Sequence, residues 1–265
     1  GEASTAIETG SVVGSVRAIG WDVRGWLGKQ QAVAVLKLNT EHPNSKTEWW
    51  VSDDFQFEKD RPLNLASLIK PALGDNYQSF IDNADSVVIG IDAPLAFPKA
   101  FKAMLNGYTT ELKPAGREID NPLAYRDCER WVHQMHGKKP LSAAFDKLGN
   151  GATLAMSVCH GLRRDGFSLL PQEGDQSDRA VIEVYPGIVK QEPKRASPAI
   201  DVIHRLVPAE TKPGTDRYDA ALCAIVAAVY AGAGGYLGLP ELIDFQPGFD
   251  RSEGWVYSLP PKSDF

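Results

Sequence analysis

Cysteine is scarce in this chain: Cys128, Cys159 and Cys223 are the only three in 265 residues. They are odd in number and widely spaced, which excludes a disulfide framework and favours a reducing compartment, so a cytoplasmic location is expected. Histidine is also rare, at five residues. Cys128, His133 and His136 lack a clear fourth partner, so a structural zinc site is not expected. A secretory leader is not expected, because "GEASTAIETGSVVGSVRAIG" has no basic start followed by a long apolar core. Repeats and low-complexity tracts are absent as well. One uncharged run, Ala220 to Pro240, is long enough to span a bilayer. Gly232, Gly234, Gly235 and Gly238 crowd its second half. That pattern predicts a buried helix of roughly three to four turns followed by a glycine-rich loop, and no membrane partner.

Positive charge is not in excess: 28 basic residues face 34 acidic ones, a net charge of −6. This argues against a surface coated in nucleic-acid contacts. The exception is residues 130–164, where six basic residues, Arg163 and Arg164 among them, meet a single acid, Asp146. Such a segment suits a polyanion, or simply solvated helix faces.

With 43% hydrophobic residues the chain can bury a sizeable core, and no linker divides it, so one domain over 1–265 is expected. "SVRAIGWDVR", "QAVAVLKLN" and "TEWWVSDDF" read as three consecutive strands, an antiparallel meander. "LNLASLIKPAL" reads as a helix, "DSVVIGIDAPL" as a buried strand stopped by Pro94, and "RAVIEVYP" as another strand. Residues 122–164 form a mainly helical insertion. The chain ends with a helix after Thr215 and a short "GWVYSLP" segment. The expected class is α/β, a mixed sheet with helices on both faces.

Acids stand in awkward places on these strands. Asp22 interrupts "AIGWDV", Asp92 ends "VVIGID", and Glu183 lies between Ile182 and Val184. An unpaired buried charge costs several kcal/mol, so each needs compensation. Ligands gather at the carboxyl ends of parallel strands in open α/β sheets. Asp216 and Asp219, three apart at the start of the last long helix, share one face. They also suit a first turn capped by Thr215, just as Asp22 suits pairing with Arg24. Taken together, oxygen ligands with few histidines favour Mg²⁺ or Mn²⁺.

The motifs "GWDVRGW", "IDAPLAFP", "YRDCERWV", "VIEVYP", "DRYDAALCAIVAA" and "EGWVYSLP", in this order, resemble domain-of-unknown-function family 429, predicted nucleases of the RNase H-like superfamily. The resemblance spans nearly the whole chain. It implies a sheet of five strands in the order 3-2-1-4-5, the first three antiparallel, with acids on the strands and the last helix. "DRYDAALCAI" is similar to the Asp-x-x-Asp-Ala helix of RuvC-type junction resolvases, and Glu183 is placed like the strand glutamate of YqgF-type relatives. RuvC-type proteins carry Glu on the fourth strand where this chain has Asp92. The implied site is Asp22, Asp92, Glu183, Asp216 and Asp219 holding two Mg²⁺ or Mn²⁺ ions for phosphodiester hydrolysis. Arg126 would contact the scissile phosphate with Glu129 holding its guanidinium. Nucleic acid is the expected partner, and resolvase-like action would call for a homodimer. Two other classes share this core, a nucleic-acid-binding protein without catalysis and an actin-like phosphotransferase. "DVRGWLG" is a poor phosphate loop for the latter.

Overall fold

The computed structural model describes residues 14–42, 44, 46–108, 111–145, 148–191 and 197–261. In chain order the strands are β1 Ser15–Asp22, β2 Ala32–Asn39, β3 Glu48–Val51, β4 Ser86–Asp92, β5 Ser168–Leu169 and β6 Arg179–Glu183. The helices are α1 Leu65–Leu73, α2 Tyr77–Asp82, α3 Lys99–Leu105, α4 Asp127–His136, α5 Leu148–Arg164, α6 Pro198–Leu206, α7 Asp216–Ala228 and α8 Gly234–Leu237. The helical insertion expected at 122–164 holds α4 and α5.

All six strands join one mixed sheet in the order β3-β2-β1-β4-β6-β5. β1, β2 and β3 form the antiparallel meander. β4, β6 and β5 run parallel to β1. The expectation of five strands is corrected by β5, an edge strand of two residues that is too short to leave a periodic signal. The "GWVYSLP" segment is not a strand but makes two isolated bridges, Glu183 to Val256 and Ile243 to Ser258.

Side chains alternate between two cores, as a pleated strand requires. Val16, Ala18, Val88, Ala180 and Ile182 face the layer of α4, α6 and α7. Ile19, Trp21, Ile89, Ile91 and Val181 face the layer of α1 and α5. The parity of each strand therefore decides which layer its terminal acid serves. Asp22 and Asp92 continue the series facing α7, whereas Glu183 continues that of Val181.

α7 lies unusually close to the sheet. Gly20 and Gly90 are register partners on β1 and β4. A Cβ on Gly20 would stand 2.0 Å from the Ala220 carbonyl oxygen and 2.3 Å from the Ala224 nitrogen. One on Gly90 would stand 2.8 Å from the Cys223 carbonyl oxygen. Only bare backbone permits this approach. Thr215 caps the helix, its hydroxyl accepting from the Tyr218 N–H at 3.2 Å. Burying Leu222, Ile225 and Val226 contributes about 1.5–3 kcal/mol each, which offsets the cost of holding acids at the helix start. Beyond α7 the chain continues helically through a π turn, Val229–Ala233, broken at Gly232 with φ 96°, so helical turns replace the expected glycine-rich loop. The whole run Asp216–Leu237 is long and apolar enough to cross a membrane, yet 78% of its apolar window is buried inside the protein.

Candidate functional site

β1 and β4 end together: Asp22 is the register partner of Asp92. Both carboxyls stand on the α7 side of the sheet, and they share a hydrogen bond. Two carboxylates cannot both ionise cheaply at that distance in a desolvated setting. Burial above all, then the facing Asp92 carboxylate, raises the Asp22 carboxyl to about 9. Burial likewise raises Asp92, to about 6. The pair titrates as a unit and retains a proton near neutral pH.

The close seating of α7 brings its first turn over these strand ends. Asp219 lies near enough to raise both strand carboxyls electrostatically. Its Oδ2 accepts from Lys190 Nζ at 3.0 Å. Asp216 pairs with Arg24, whose Nε lies 4.0 Å from Asp22 Oδ2. Two buried oxygens of this group, Asp22 Oδ2 and Asp219 Oδ1, have no hydrogen-bond partner. An acceptor left bare in this way costs about 1–3 kcal/mol, more when charged, so the arrangement is complementary to a cation. Among the described residues no three Asp, Glu, His or Cys side chains form a ready-made metal cage. A divalent ion keeping several waters needs only one or two carboxylates, so this donor set fits Mg²⁺ or Mn²⁺. Beside Asp216 a cleft of about 520 Å³ opens, lined by Arg24, Asp54, Glu210, Lys212, Thr215 and Arg217 among others.

Glu183, expected to join these acids, is placed elsewhere. Its parity on β6 turns it away from α7, and its register partner is Ile91, not Asp92. Both its oxygens are taken by Arg126, at 2.8 Å from Nη1 and 2.6 Å from Nη2, and Oε1 also accepts from the Leu95 N–H at 2.9 Å. Arg126 is 0% exposed, so it is not a surface contact for a phosphate. Its Nε donates to Glu129 Oε1 at 2.9 Å and its Nη1 to the Glu253 carbonyl at 3.0 Å. Glu129 holds the guanidinium through one oxygen, not as the bidentate partner expected, and inside the protein. The buried Glu253 carboxylate accepts from the backbone N–H groups of Lys99 and Asp127, which open α3 and α4. This cluster is structural.

Arg163 and Arg164 are likewise removed from the acids. α5 begins at the carboxyl edge of the sheet, where Asn150 Oδ1 accepts from the Trp26 N–H at 2.8 Å. It ends at the opposite edge, where β5 starts, and there Arg163 donates to Glu173 at 2.9 Å. Sequence reading missed Lys190, because a lone lysine in a loop carries no pattern. The glycines within β1 and β4 were the overlooked signal of close helix approach. Comparison of the chain with protein-family models, with curated proteins and with solved structures finds no match to any of them.

Proposed function

We propose that this protein is a metal-dependent nuclease of the RNase H-like kind, akin to domain-of-unknown-function family 429, that hydrolyses phosphodiesters of nucleic acid in the cytoplasm. The observation that carries the reading is the pair of buried, unpartnered oxygens on Asp22 and Asp219 beside the proton-sharing Asp22–Asp92 pair. The strand order supports it, since the five longer strands follow the 3-2-1-4-5 arrangement once the short edge strand is set aside.

Asp22, Asp92 and Asp219 would hold Mg²⁺ or Mn²⁺, with Asp216 fixing Arg24 at the rim. A bound divalent ion supplies an acidified water and neutralises charge on the phosphate. The chain does the rest. Burial keeps the carboxylates in a weakly screened setting where their pull on a cation is strong. The seam at Gly20 and Gly90 fixes their spacing. The adjoining cleft is mixed in charge, with Arg24, Lys212 and Arg217 set against Asp54, Glu210 and Asp216. The phosphotransferase alternative is weaker: the Gly25–Gly28 turn closes on itself through the Gly28 N–H to the Gly25 carbonyl at 2.9 Å.

The test is cleavage of labelled DNA and RNA oligonucleotides with Mn²⁺. Asp22→Asn and Asp219→Asn are each expected to lower the rate at least about 100-fold. Undiminished cleavage by both variants would overturn the assignment, whereas binding of nucleic acid with no metal-dependent cleavage by the native chain would favour the non-catalytic alternative.

A further inference from the structure

We propose that Trp26, on the loop that joins β1 to β2, is a stacking platform for an unpaired base, so that the substrate of this site is single-stranded nucleic acid. The proposal rests on the hydrolytic reading above and names its substrate class. Trp26 follows Asp22 by four residues, so their Cα atoms stand no more than about 14 Å apart. Between them Arg24 turns to Asp216 at the rim of the cleft.

Trp26 is 44% exposed and Leu27 83%. Single apolar side chains on a surface are ordinary, but this loop is held still while it presents them. The buried Gln31 wires it from beneath. Its Oε1 accepts from the Trp21 indole N–H at 3.0 Å and from the Arg24 N–H at 2.9 Å, and its Nε2 donates to the Gly25 carbonyl at 3.1 Å. The start of α5 holds the loop from the side. Asn150 Oδ1 accepts from the Trp26 backbone N–H at 2.8 Å, and Thr153 Oγ1 accepts from the indole N–H at 3.0 Å. The Thr153 hydroxyl gives its own proton to the Gly149 carbonyl at 2.8 Å, which leaves it an acceptor for the indole. A Cβ on Gly25 would stand 2.9 Å from the Asn150 side chain, so the loop sits directly on the helix. The polar edge of the indole is spent and its orientation is fixed, while much of the ring stays in water. A ring immobilised before binding gives up little freedom when it captures a flat partner.

The charges point the same way. The chain carries a net charge of −6, and the cleft beside the acids sets Arg24, Lys212 and Arg217 against Asp54, Glu210 and Asp216. Few phosphates can be neutralised there, so counterion release, the usual source of nucleic-acid affinity, contributes little. Stacking of a base on an aromatic ring needs no positive charge and tolerates any sequence. In a duplex the faces of each base are covered by its neighbours, so the ring can take only a base that is out of the stack.

Fluorescence anisotropy of a labelled oligothymidine of about 12 nucleotides, with the full chain in EDTA, measures affinity without cleavage. The native chain is expected to bind it at least about 10-fold more tightly than the duplex it forms with its complement. Trp26→Ala is expected to weaken binding about 5-fold to about 150-fold, the scale of one stacked base. Trp26→Phe keeps a flat face and should retain most of the affinity, whereas Trp26→Leu, apolar but not flat, should bind like Trp26→Ala. Gln31 and Asn150 hold the loop without the indole, so all three variants should unfold near the native urea midpoint. Native-like binding by Trp26→Ala would overturn the proposal. So would a Trp26→Leu chain that binds as Trp26→Phe does, since apolar contact and not stacking would then be at work. Loss of self-association in Trp26→Ala with unchanged oligonucleotide affinity would also overturn it, by assigning the loop to a second copy of the chain. In each of these cases Mn²⁺-dependent cleavage by the native chain leaves the nuclease reading standing. A native chain that neither binds nor cleaves oligonucleotides removes that reading, and the proposal with it.

Discussion

Two carboxyls set level on neighbouring strands make the protein's stability a function of pH. A carboxyl whose folded pKa is raised binds its proton more tightly when folded than when unfolded. Its contribution is therefore fully present below the unfolded value and is lost as pH rises toward the folded one. For Asp22, raised from 3.8 to about 9, and Asp92, raised to about 6, metal-free stability should fall as pH climbs from about 4 to about 9. Asp22→Asn keeps the hydrogen bond to Asp92 and removes the repulsion. It should flatten that slope and stabilise the metal-free protein by about 1–3 kcal/mol at mildly alkaline pH, read from urea unfolding of variant and native chain at acid, neutral and alkaline pH. A variant whose slope matches the native one would refute the shared proton. At this scale much was legible: an acid closing an apolar strand, as Asp22 and Asp92 do, cannot be a passive surface residue. Glu183 looked equivalent because its neighbours are equally apolar. The difference lies in its phase along β6 and in a distant arginine, neither of which a local window contains.

The first turn of α7 meets the acids because two glycines let the helix lie on the strands. Gly20→Ala would place its methyl against helix backbone, not against a side chain that can turn aside. The helix as a whole must move, at a cost of about 1–3 kcal/mol or more, and Asp219 moves with it. The expected signature is a lower unfolding midpoint together with weaker Mn²⁺ binding, whereas loss of stability with intact Mn²⁺ affinity would show that helix height does not set the site. The long strands and the capped start of α7 were plain in the sequence, through β-branched runs and a threonine before two acids. β5 and the π turn were not, since each is fixed by contacts with the rest of the fold more than by its own residues.

At the scale of the whole molecule, the Arg126 cluster ties together β6, the loop after β4, the starts of α3 and α4, and the chain near Glu253. Removing one partner of a buried ion pair is far costlier than the pair is worth, because the survivor is left charged and dry. Arg126→Ala should accordingly cost about 3–5 kcal/mol, and the double variant Arg126→Met with Glu183→Gln should recover a good part of it, as measured by denaturant unfolding. No recovery would mean that packing around the guanidinium, not its charge, holds these parts together. A fold joined by contacts so far apart along the chain is hard to read from sequence, where Arg126 read as a phosphate contact or a surface helix ion pair and not as the internal brace it is.

The brace also sets an order of events during synthesis. Glu253 is among the last described residues, yet it closes a cluster whose other members are made long before. Until the ribosome has delivered it, the N–H groups that open α3 and α4 lack their carboxylate cap, and the Arg126 guanidinium lacks the Glu253 carbonyl that accepts from its Nη1. A nascent chain halted short of that point carries an unfinished interior.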